Sequence, residues 1–278
     1  MTLPPAAAES LFHFGPLAVT NALINGWIAV AFFVLVVVML RRRWVAVPKG
    51  FQNIAESIVE FMLAEVKKVT GDDARARQFL PVVGTIFLFI LFSNWLGLIP
   101  GTGSIGVWLM HQGELELIPL LRPAASDLNL TLGIALFAVI SSHLYGIQAL
   151  GLTNHISKFV NVRGIFRSFK KGPVAVVVAC IEFGVGLIEI VSEIAKVLSL
   201  SLRLFGNVFA GEVLMTVMLG LFSFFLPIPF IFLEVLVGVI QATVFSMLTL
   251  AYLTVATSGH GEEHDEEHNE SHAEPAHA

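Results

Sequence analysis

The sequence has little cysteine, little charge and no phosphate-binding loop. Cys180 is the only cysteine, so an internal disulfide is excluded. Charged residues make up 13% of the chain and hydrophobic residues 56%, whereas soluble domains carry about 25% charged residues. No segment has the G-x-x-x-x-G-K-[ST] pattern that binds nucleotide phosphates. These absences exclude an ordinary soluble enzyme, and we expect a membrane protein that does not hydrolyse nucleotides and has no cofactor or metal site.

Five apolar segments are long enough to cross a bilayer. The predicted spans are residues 18–40, 79–99, 128–150, 174–222 and 226–257, and together they form a single membrane domain over 18–257. If helical, the last two would be roughly 73 Å and 48 Å long, against a hydrocarbon core of about 30 Å. We therefore expect an all-α polytopic fold whose last two helices are strongly tilted or broken, form a hairpin, and pack on a large protein surface.

Charge placement predicts the orientation of these spans. Of the 16 Lys and Arg residues, 13 lie in two zones, residues 41–78 and 158–171. By the positive-inside rule both zones are cytoplasmic. The N-terminal segment 1–17 lacks a basic region and is expected outside, followed by a retained span. Five crossings then place the C-terminus in the cytoplasm.

Two further segments have distinctive patterns. Apolar side chains recur at helical spacing over 51–69, which predicts an amphipathic helix at the cytoplasmic interface that rests on lipid or docks a partner helix. The tail 258–278 holds seven acidic residues and five of the nine histidines. Its four-residue His spacing is compatible with metal binding on a helix, but its dense like charges favour a disordered tail. The histidines outside the tail are expected to be interfacial or packing residues: His13, His111, His143 and His155.

The fourth apolar segment contains a stripe of ionisable residues. Its members are spaced by seven residues, a step that drifts only about 20° around an α-helix: Glu182, Glu189, Lys196 and Arg203. Each costs at least about 2.5 to 3.5 kcal/mol at membrane depth. The stripe is therefore either a set of paired structural charges, such as Glu193 with Lys196, or the lining of a proton or ion path.

A hairpin of the last two segments predicts which residues face each other. With its tip near residues 223–229, Arg203 lies opposite Gln241, and Glu212 lies opposite Glu234. Facing carboxylates can share one proton, which suits a relay. An arginine keeps its charge and acts as a barrier instead. Arg203 and Glu212 are nine residues apart, on opposite faces of a straight helix, so a bend is needed or one pairing is wrong.

The motif around Arg203 resembles a known family. The runs "LSLSLRLFGNVFAGE" and "VIQATVFSMLTLAYL", with "PAASDLNLTL" and "VPKGFQNIAE" in support, resemble the a-subunit family of F-type ATP synthases over nearly the whole chain. The resemblance implies a non-catalytic stator subunit in the bacterial inner membrane, with two offset aqueous half-channels. The implied partners are a rotating c-ring of hairpin subunits, peripheral-stalk b subunits and the bilayer, with no nucleic acid. The implied ion is H⁺, and Na⁺ stays open because the ring carries the ion site.

The resemblance also implies roles for individual residues. Arg203 is the essential charge that separates the half-channels and draws each ring carboxylate into its ionised form. The outer half-channel contains Asn207, Glu212 and Gln241, with Asp127 at its mouth. The cytoplasmic half-channel contains Glu189, Ser192 and Ser199. Glu234 occupies a position at which some family members have a histidine. A titratable group is therefore kept at this position, but the proton is carried by a carboxylate and not by an imidazole.

A secondary ion-coupled transporter or antiporter subunit is the alternative function. In that case Arg203 binds an anionic substrate, and the protein alone carries a substrate-dependent flux. Such a protein is expected to contain an inverted repeat, and the second and third spans lack the polar stripe of the last two. The sequence therefore favours the stator subunit.

Overall fold

Long helices make up most of the structure. The computed structural model describes residues 5, 7–15, 17–42, 45, 47–99, 106–111, 114–153, 155, 173–221 and 227–258. The helices in this part of the chain are α1 (Asn21–Arg42), α2 (Phe51–Thr70), α3 (Asp73–Gly97), α4 (Leu128–Leu150), α5 (Pro173–Leu221) and α6 (Pro227–Thr257). All except α2 are long and apolar enough to cross a membrane. The predicted all-α polytopic fold with five spans is confirmed.

The first residues of α1 and α3 differ from the starts of their apolar runs, because polar N-caps determine where these helices begin. The first span was expected from residue 18, but α1 begins at Asn21, after Thr20 accepts a hydrogen bond from the Leu23 amide at 3.2 Å. The second was expected from residue 79, but α3 begins at Asp73. Asp72 accepts hydrogen bonds there from the amides of residues 74 and 75, at 3.1 and 3.3 Å. Such caps satisfy backbone amides that have no partner within the helix.

Two short β-hairpins lie in the segments before the first and third predicted spans. Residues 18–20, which were expected to begin the first span, belong to the first hairpin. Strands β1 (Ser10–Phe14) and β2 (Leu17–Thr20) pair antiparallel before α1. Strands β3 (Gly106–His111) and β4 (Glu114–Pro119) pair antiparallel before α4. They add local structure to the loops and leave the helical class unchanged.

The chain divides into two compact units, Met1–Phe137 with Val197–Leu248, and Ala138–Lys196 with Thr249–Ala278. In the first unit α1 packs on α3, where the rings of Phe32 and Phe92 stack at 4.3 Å. The end of α3 lies very close to the loop before α4, since a Cβ at Gly97 would come within 2.5 to 2.9 Å of Pro123. Only glycine allows this approach, which positions the loop that contains Arg122.

Helix α2 has an apolar stripe that is buried toward its C-terminal end and exposed toward its N-terminal end. Met62 and Val66 are buried, and Met62 contacts Gly84 of α3 closely enough that a Cβ there would lie 3.6 Å away. The same apolar stripe is exposed nearer the start of the helix, at Phe51, Ile54 and Ile58, and Phe61 is exposed on its flank. The amphipathic pattern therefore packs one face on α3 and leaves apolar surface for lipid or a partner.

Candidate functional site

Arg203 lies on an exposed face of α5. Leu200, Leu204 and Val208 follow one another at four-residue spacing and are buried, at 1%, 1% and 6% exposure. This buried stripe turns Arg203 and Asn207 outward, and both are exposed. Arg203 Nη2 donates to Ser199 Oγ at 3.5 Å, the limit of a hydrogen bond. The helix therefore presents a cation at the middle of a long apolar segment.

A buried hydroxyl pair fixes the rotation of α5 near Arg203. Ser201 Oγ lies 3.2 Å from Thr131 Oγ1 of α4, and both residues are fully buried. Thr131 Oγ1 also donates to the Leu128 carbonyl at 3.0 Å. Because buried hydroxyls are costly without partners, this contact favours one orientation of α5. That orientation leaves Arg203 on the outside.

Glu212 forms an ion pair with Arg122. Arg122 Nε lies 2.9 Å from Glu212 Oε1 and 3.0 Å from Oε2. The hairpin argument had paired Glu212 with Glu234, so the partner of this carboxylate was predicted wrongly. Arg122 was missed, although one signal was present in the sequence: it is the single arginine between residues 78 and 163, directly before "PAASDLNLTL".

Arg122 is buried and holds several segments together. Only 2% of its surface is exposed. Its Nη2 donates to the Pro5 carbonyl at 2.9 Å and its Nη1 to the Ala7 carbonyl at 3.4 Å. Its own carbonyl accepts from Asn25 Nδ2 at 2.7 Å. The guanidinium thus connects the N-terminal segment to α5 and satisfies the requirement that a buried charge be paired and hydrogen-bonded.

Glu234 of α6 lies against Gly211 of α5. The carboxyl of Glu234 occupies the space where a Cβ on Gly211 would stand. This contact agrees within one residue with the hairpin register predicted from the sequence. At the next residue of α6, Trp95 Nε1 donates to the Val235 carbonyl at 3.3 Å, which connects α3 to α6. Gly211 is therefore the point at which the hairpin helices can approach closely enough to place Glu234.

The conflict between Arg203 and Glu212 is resolved by the ion pair. α5 continues as a helix through Gly206 and Gly211 without interruption. Arg203 is exposed, whereas Glu212 is directed toward the buried Arg122. Residues nine apart on an α-helix lie on opposite faces, as observed here. The facing of Arg203 and Gln241 stays a prediction, and Gln241 lies half-buried on α6.

Asp127 has a structural role at the start of α4. Its side chain is buried, and Oδ1 accepts from the Asn129 amide at 2.9 Å. Its carbonyl accepts from the Thr131 amide at 3.1 Å. These contacts are those of an N-cap. Its predicted place at a channel mouth stays a prediction.

Of the three predicted cytoplasmic residues, Glu189 and Ser192 lie on the part of α5 that belongs to the second unit, and Ser199 lies on the part that belongs to the first. Lys196 Nζ lies 2.6 Å from Glu193 Oε1 and 3.9 Å from Glu189 Oε1. The pairing of Glu193 with Lys196 is confirmed. Ser192 is half-buried on the same helix. The side chain of Glu182, the basic segment 158–171 and the tail after residue 258 lie outside the described residues.

Replacing Gly211 tests the placement of Glu234. We expect Gly211→Ala to displace the Glu234 carboxyl and to slow ATP-driven proton transport, because the new methyl group takes its position. Gly184→Ala is the matched control, because Gly184 is on the same helix and a Cβ there meets nothing within 4 Å. Proton uptake into inverted vesicles measures both variants. Equal rates for the two variants would contradict the assignment.

The sequence of this chain is similar to those of known proteins. The family described as ATP synthase A chain matches residues 23–254. ATP synthase subunit a of Moorella thermoacetica is 31% identical over 90% of this chain and 96% of its own length. ATP synthase subunit a 2 of a Bradyrhizobium species is 30% identical over 92% and 97%, and subunit a of Campylobacter jejuni is 34% identical over 82% and 87%. The chain therefore belongs to the ATP synthase A chain family, the non-catalytic stator proton-channel subunits of the membrane sector F0 of bacterial ATP synthases.

Proposed function

We propose that this chain forms two offset aqueous half-channels separated by Arg203, through which protons reach and leave the carboxylates of a rotating c-ring. The observation that supports this proposal is the exposure of Arg203 at the middle of the 49-residue helix α5. The guanidinium keeps its charge at any working pH, so it blocks direct proton passage along the helix.

The contrast with Arg122 and Lys196 strengthens the proposal. Within the described residues, Arg122 is paired with Glu212 and Lys196 with Glu193, whereas Arg203 reaches the hydroxyl of Ser199. A charged residue facing lipid costs at least about 2.5 to 3.5 kcal/mol. An anionic group on a neighbouring protein removes that cost. The carboxylates of successive ring subunits provide such a group each time the ring turns.

The polar residues divide into two groups along α5 and α6. The outer half-channel comprises Asn207, Glu212, Glu234 and Gln241, with Asp127 at its mouth. Arg122 holds the Glu212 carboxylate in place, and Gly211 makes room for that of Glu234. The cytoplasmic half-channel comprises Glu189, Ser192 and Ser199. Carboxylates and hydroxyls are the groups that bind water and exchange protons, so H⁺ is the proposed ion.

The proposed function also assigns the surfaces that contact the partner subunits and the membrane. Leu198 and Leu202 are exposed beside Arg203 and give the c-ring an apolar contact surface. The exposed apolar side chains of α2 provide a contact for the peripheral-stalk b subunits or for lipid. The basic zones are placed in the cytoplasm, with the N-terminus outside and the C-terminus inside the bacterial inner membrane.

Purification from the native membrane tests the partner. We expect the chain to copurify in mild detergent with a small two-helix protein that carries one Asp or Glu at the middle of its membrane segment. That protein is identified by mass spectrometry of the purified complex. Isolation of the chain alone, together with a substrate-dependent flux in liposomes that contain only this protein, would favour a secondary transporter instead.

A further inference from the structure

The start of α1 buries two asparagines in a largely apolar span. Asn21 and Asn25 lie one turn apart on the same face of the helix, and both are 0% exposed. Each amide donates to a backbone carbonyl of the segment before α4. Asn21 Nδ2 reaches the Pro119 carbonyl at 3.3 Å, and Asn25 Nδ2 reaches the Arg122 carbonyl at 2.7 Å. The two side chains therefore hold this segment against α1 at two points.

Small neighbours set the depth at which Asn25 lies. Ala22 and Gly26 are buried beside it on α1. A Cβ at Gly26 would lie 3.7 Å from Phe89 of α3 and 3.9 Å from Leu130 of α4, which is already van der Waals contact. A longer side chain at this position would push the helices apart, since protein interiors are close-packed. The glycine thus lets α1 approach closely enough for Asn25 to reach the Arg122 carbonyl.

Arg122 is held at both ends by different parts of the chain. Its carbonyl accepts from Asn25 of α1, and its guanidinium bonds to Glu212 of α5. The same guanidinium donates to the carbonyls of Pro5 and Ala7. An arginine side chain has many rotamers, so the position of its charged end depends on where its backbone is fixed. Displacing the Arg122 carbonyl therefore moves the guanidinium relative to the Glu212 carboxylate.

The other polar atom of the Asn25 amide is unpaired. Within the described residues, no group donates to the buried Asn25 Oδ1. A buried acceptor without a partner costs free energy, and that cost offsets the gain from the hydrogen bond of Nδ2. In an Asn25→Leu variant the unpaired Oδ1 disappears, and the Arg122 carbonyl loses its donor instead. One unpaired acceptor replaces another, so the substitution should change the stability little while it releases the segment before α4.

We propose that Asn25 is a positioning residue of the outer half-channel, which acts through Arg122 on the carboxylate of Glu212, an inference that rests on the proposed function. The hydrogen bond of Asn25 fixes the Arg122 carbonyl, and the fixed backbone places the guanidinium. The guanidinium in turn holds the Glu212 carboxylate at 2.9 Å. The first helix thus contributes to the geometry of the outer half-channel, in addition to its packing on α3.

Two measurements on the intact complex test this role: ATP-driven proton uptake into inverted vesicles, and the temperature at which the subunit leaves the detergent-solubilised complex. We expect Asn25→Leu to lower the uptake rate about fivefold, the equivalent of about 1 kcal/mol, which is the usual net contribution of one hydrogen bond. The release temperature should change little. Gln52→Met is the matched control, because it removes another buried amide, one that bonds to the Val45 backbone on α2's side of the chain. It should lower the release temperature and leave the uptake rate of the assembled complex unchanged.

Combination with Glu212→Asp separates positioning from packing. Glu212→Asp shortens the side chain by one methylene and itself weakens the contact with Arg122, so the further loss of Asn25 should matter less. We expect the double variant to lose clearly less activity than the product of the two single deficits.

Three results would overturn the role of Asn25 alone: an unchanged uptake rate in Asn25→Leu, deficits that multiply in the double variant, or a release temperature that falls in step with the rate. If Asn25→Leu does not assemble, Asn25→Ser is measured in the same way, since serine is smaller and its hydroxyl falls short of the Arg122 carbonyl. Failure of both variants to assemble would show a structural role. Pumping by Arg203→Ala would overturn the proposed function instead.

Discussion

Replacing Arg203 with alanine is expected to abolish ATP-driven proton pumping while the complex still assembles. At an effective dielectric constant of about 20, a unit charge 4 Å from a carboxylate stabilises its ionised form by ~4 kcal/mol, or about three orders of magnitude in the ionisation equilibrium. Without that charge the ring carboxylates no longer release their protons beside α5. Acidification of inverted vesicles after ATP addition, followed with a pH-sensitive dye, measures the rate.

Two controls make this result specific to Arg203. Arg41→Ala removes an exposed arginine at the end of α1 and should leave pumping unchanged. Arg203→Lys keeps the charge but loses the planar fork of donors, so we expect an intermediate rate. Pumping by Arg203→Ala at the rate of the Arg41 variant would show that the guanidinium is not the barrier.

Breaking the Arg122–Glu212 pair is expected to have the second largest effect. Arg122→Gln leaves the Glu212 carboxylate without its partner at 2.9 Å and frees the carbonyls of Pro5 and Ala7. Removing one member of a buried ion pair typically costs about 3–5 kcal/mol. We therefore expect the detergent-solubilised complex to lose this subunit at a clearly lower temperature, and pumping to fall because the outer carboxylate is displaced.

An exposed ion pair with the same nitrogen–oxygen distance provides the control for the Arg122 variant. Arg77 Nε lies 2.9 Å from Asp73 Oδ2, with both side chains about half or more in solvent. Arg77→Gln should change thermal release very little, since exposed pairs contribute little. The double variant Arg122→Gln with Glu212→Gln should regain much of the lost stability but not the pumping, because neutral side chains can pair without a carboxylate. A stable, fully active Arg122→Gln protein would contradict this role.

Local patterns in the sequence predicted the helices well. Helix α4 was expected at residues 128–150 and is observed at Leu128–Leu150. Its apolar run is bounded by the Asp127 cap and by Gly151, whose φ of 81° ends the helix. The hairpin register was also predictable, since a short tip fixes which residues of α5 and α6 are opposite, as the contact of Gly211 with Glu234 shows.

Partners of individual side chains could not be predicted in the same way. Periodicity tells which face of a helix a residue occupies, but not which distant segment covers that face. Glu212 meets Arg122, 90 residues earlier, because the glycine at 97 brings the loop before α4 against the end of α3. His143 and His155 have no regular spacing, and they meet because the chain turns back after α4. These contacts depend on packing between segments.

The central claim is that Arg203 couples proton flow to rotation by separating two half-channels. ATP synthesis in inverted vesicles under an imposed potential tests it most directly, since each proton that crosses 100 mV releases about 2.3 kcal/mol. Proton flux and ATP production are measured in the same vesicles. The account predicts that vesicles with Arg203→Ala produce no ATP although the complex is assembled and the unmodified protein produces it steadily. ATP production by the variant at the unmodified rate would contradict it.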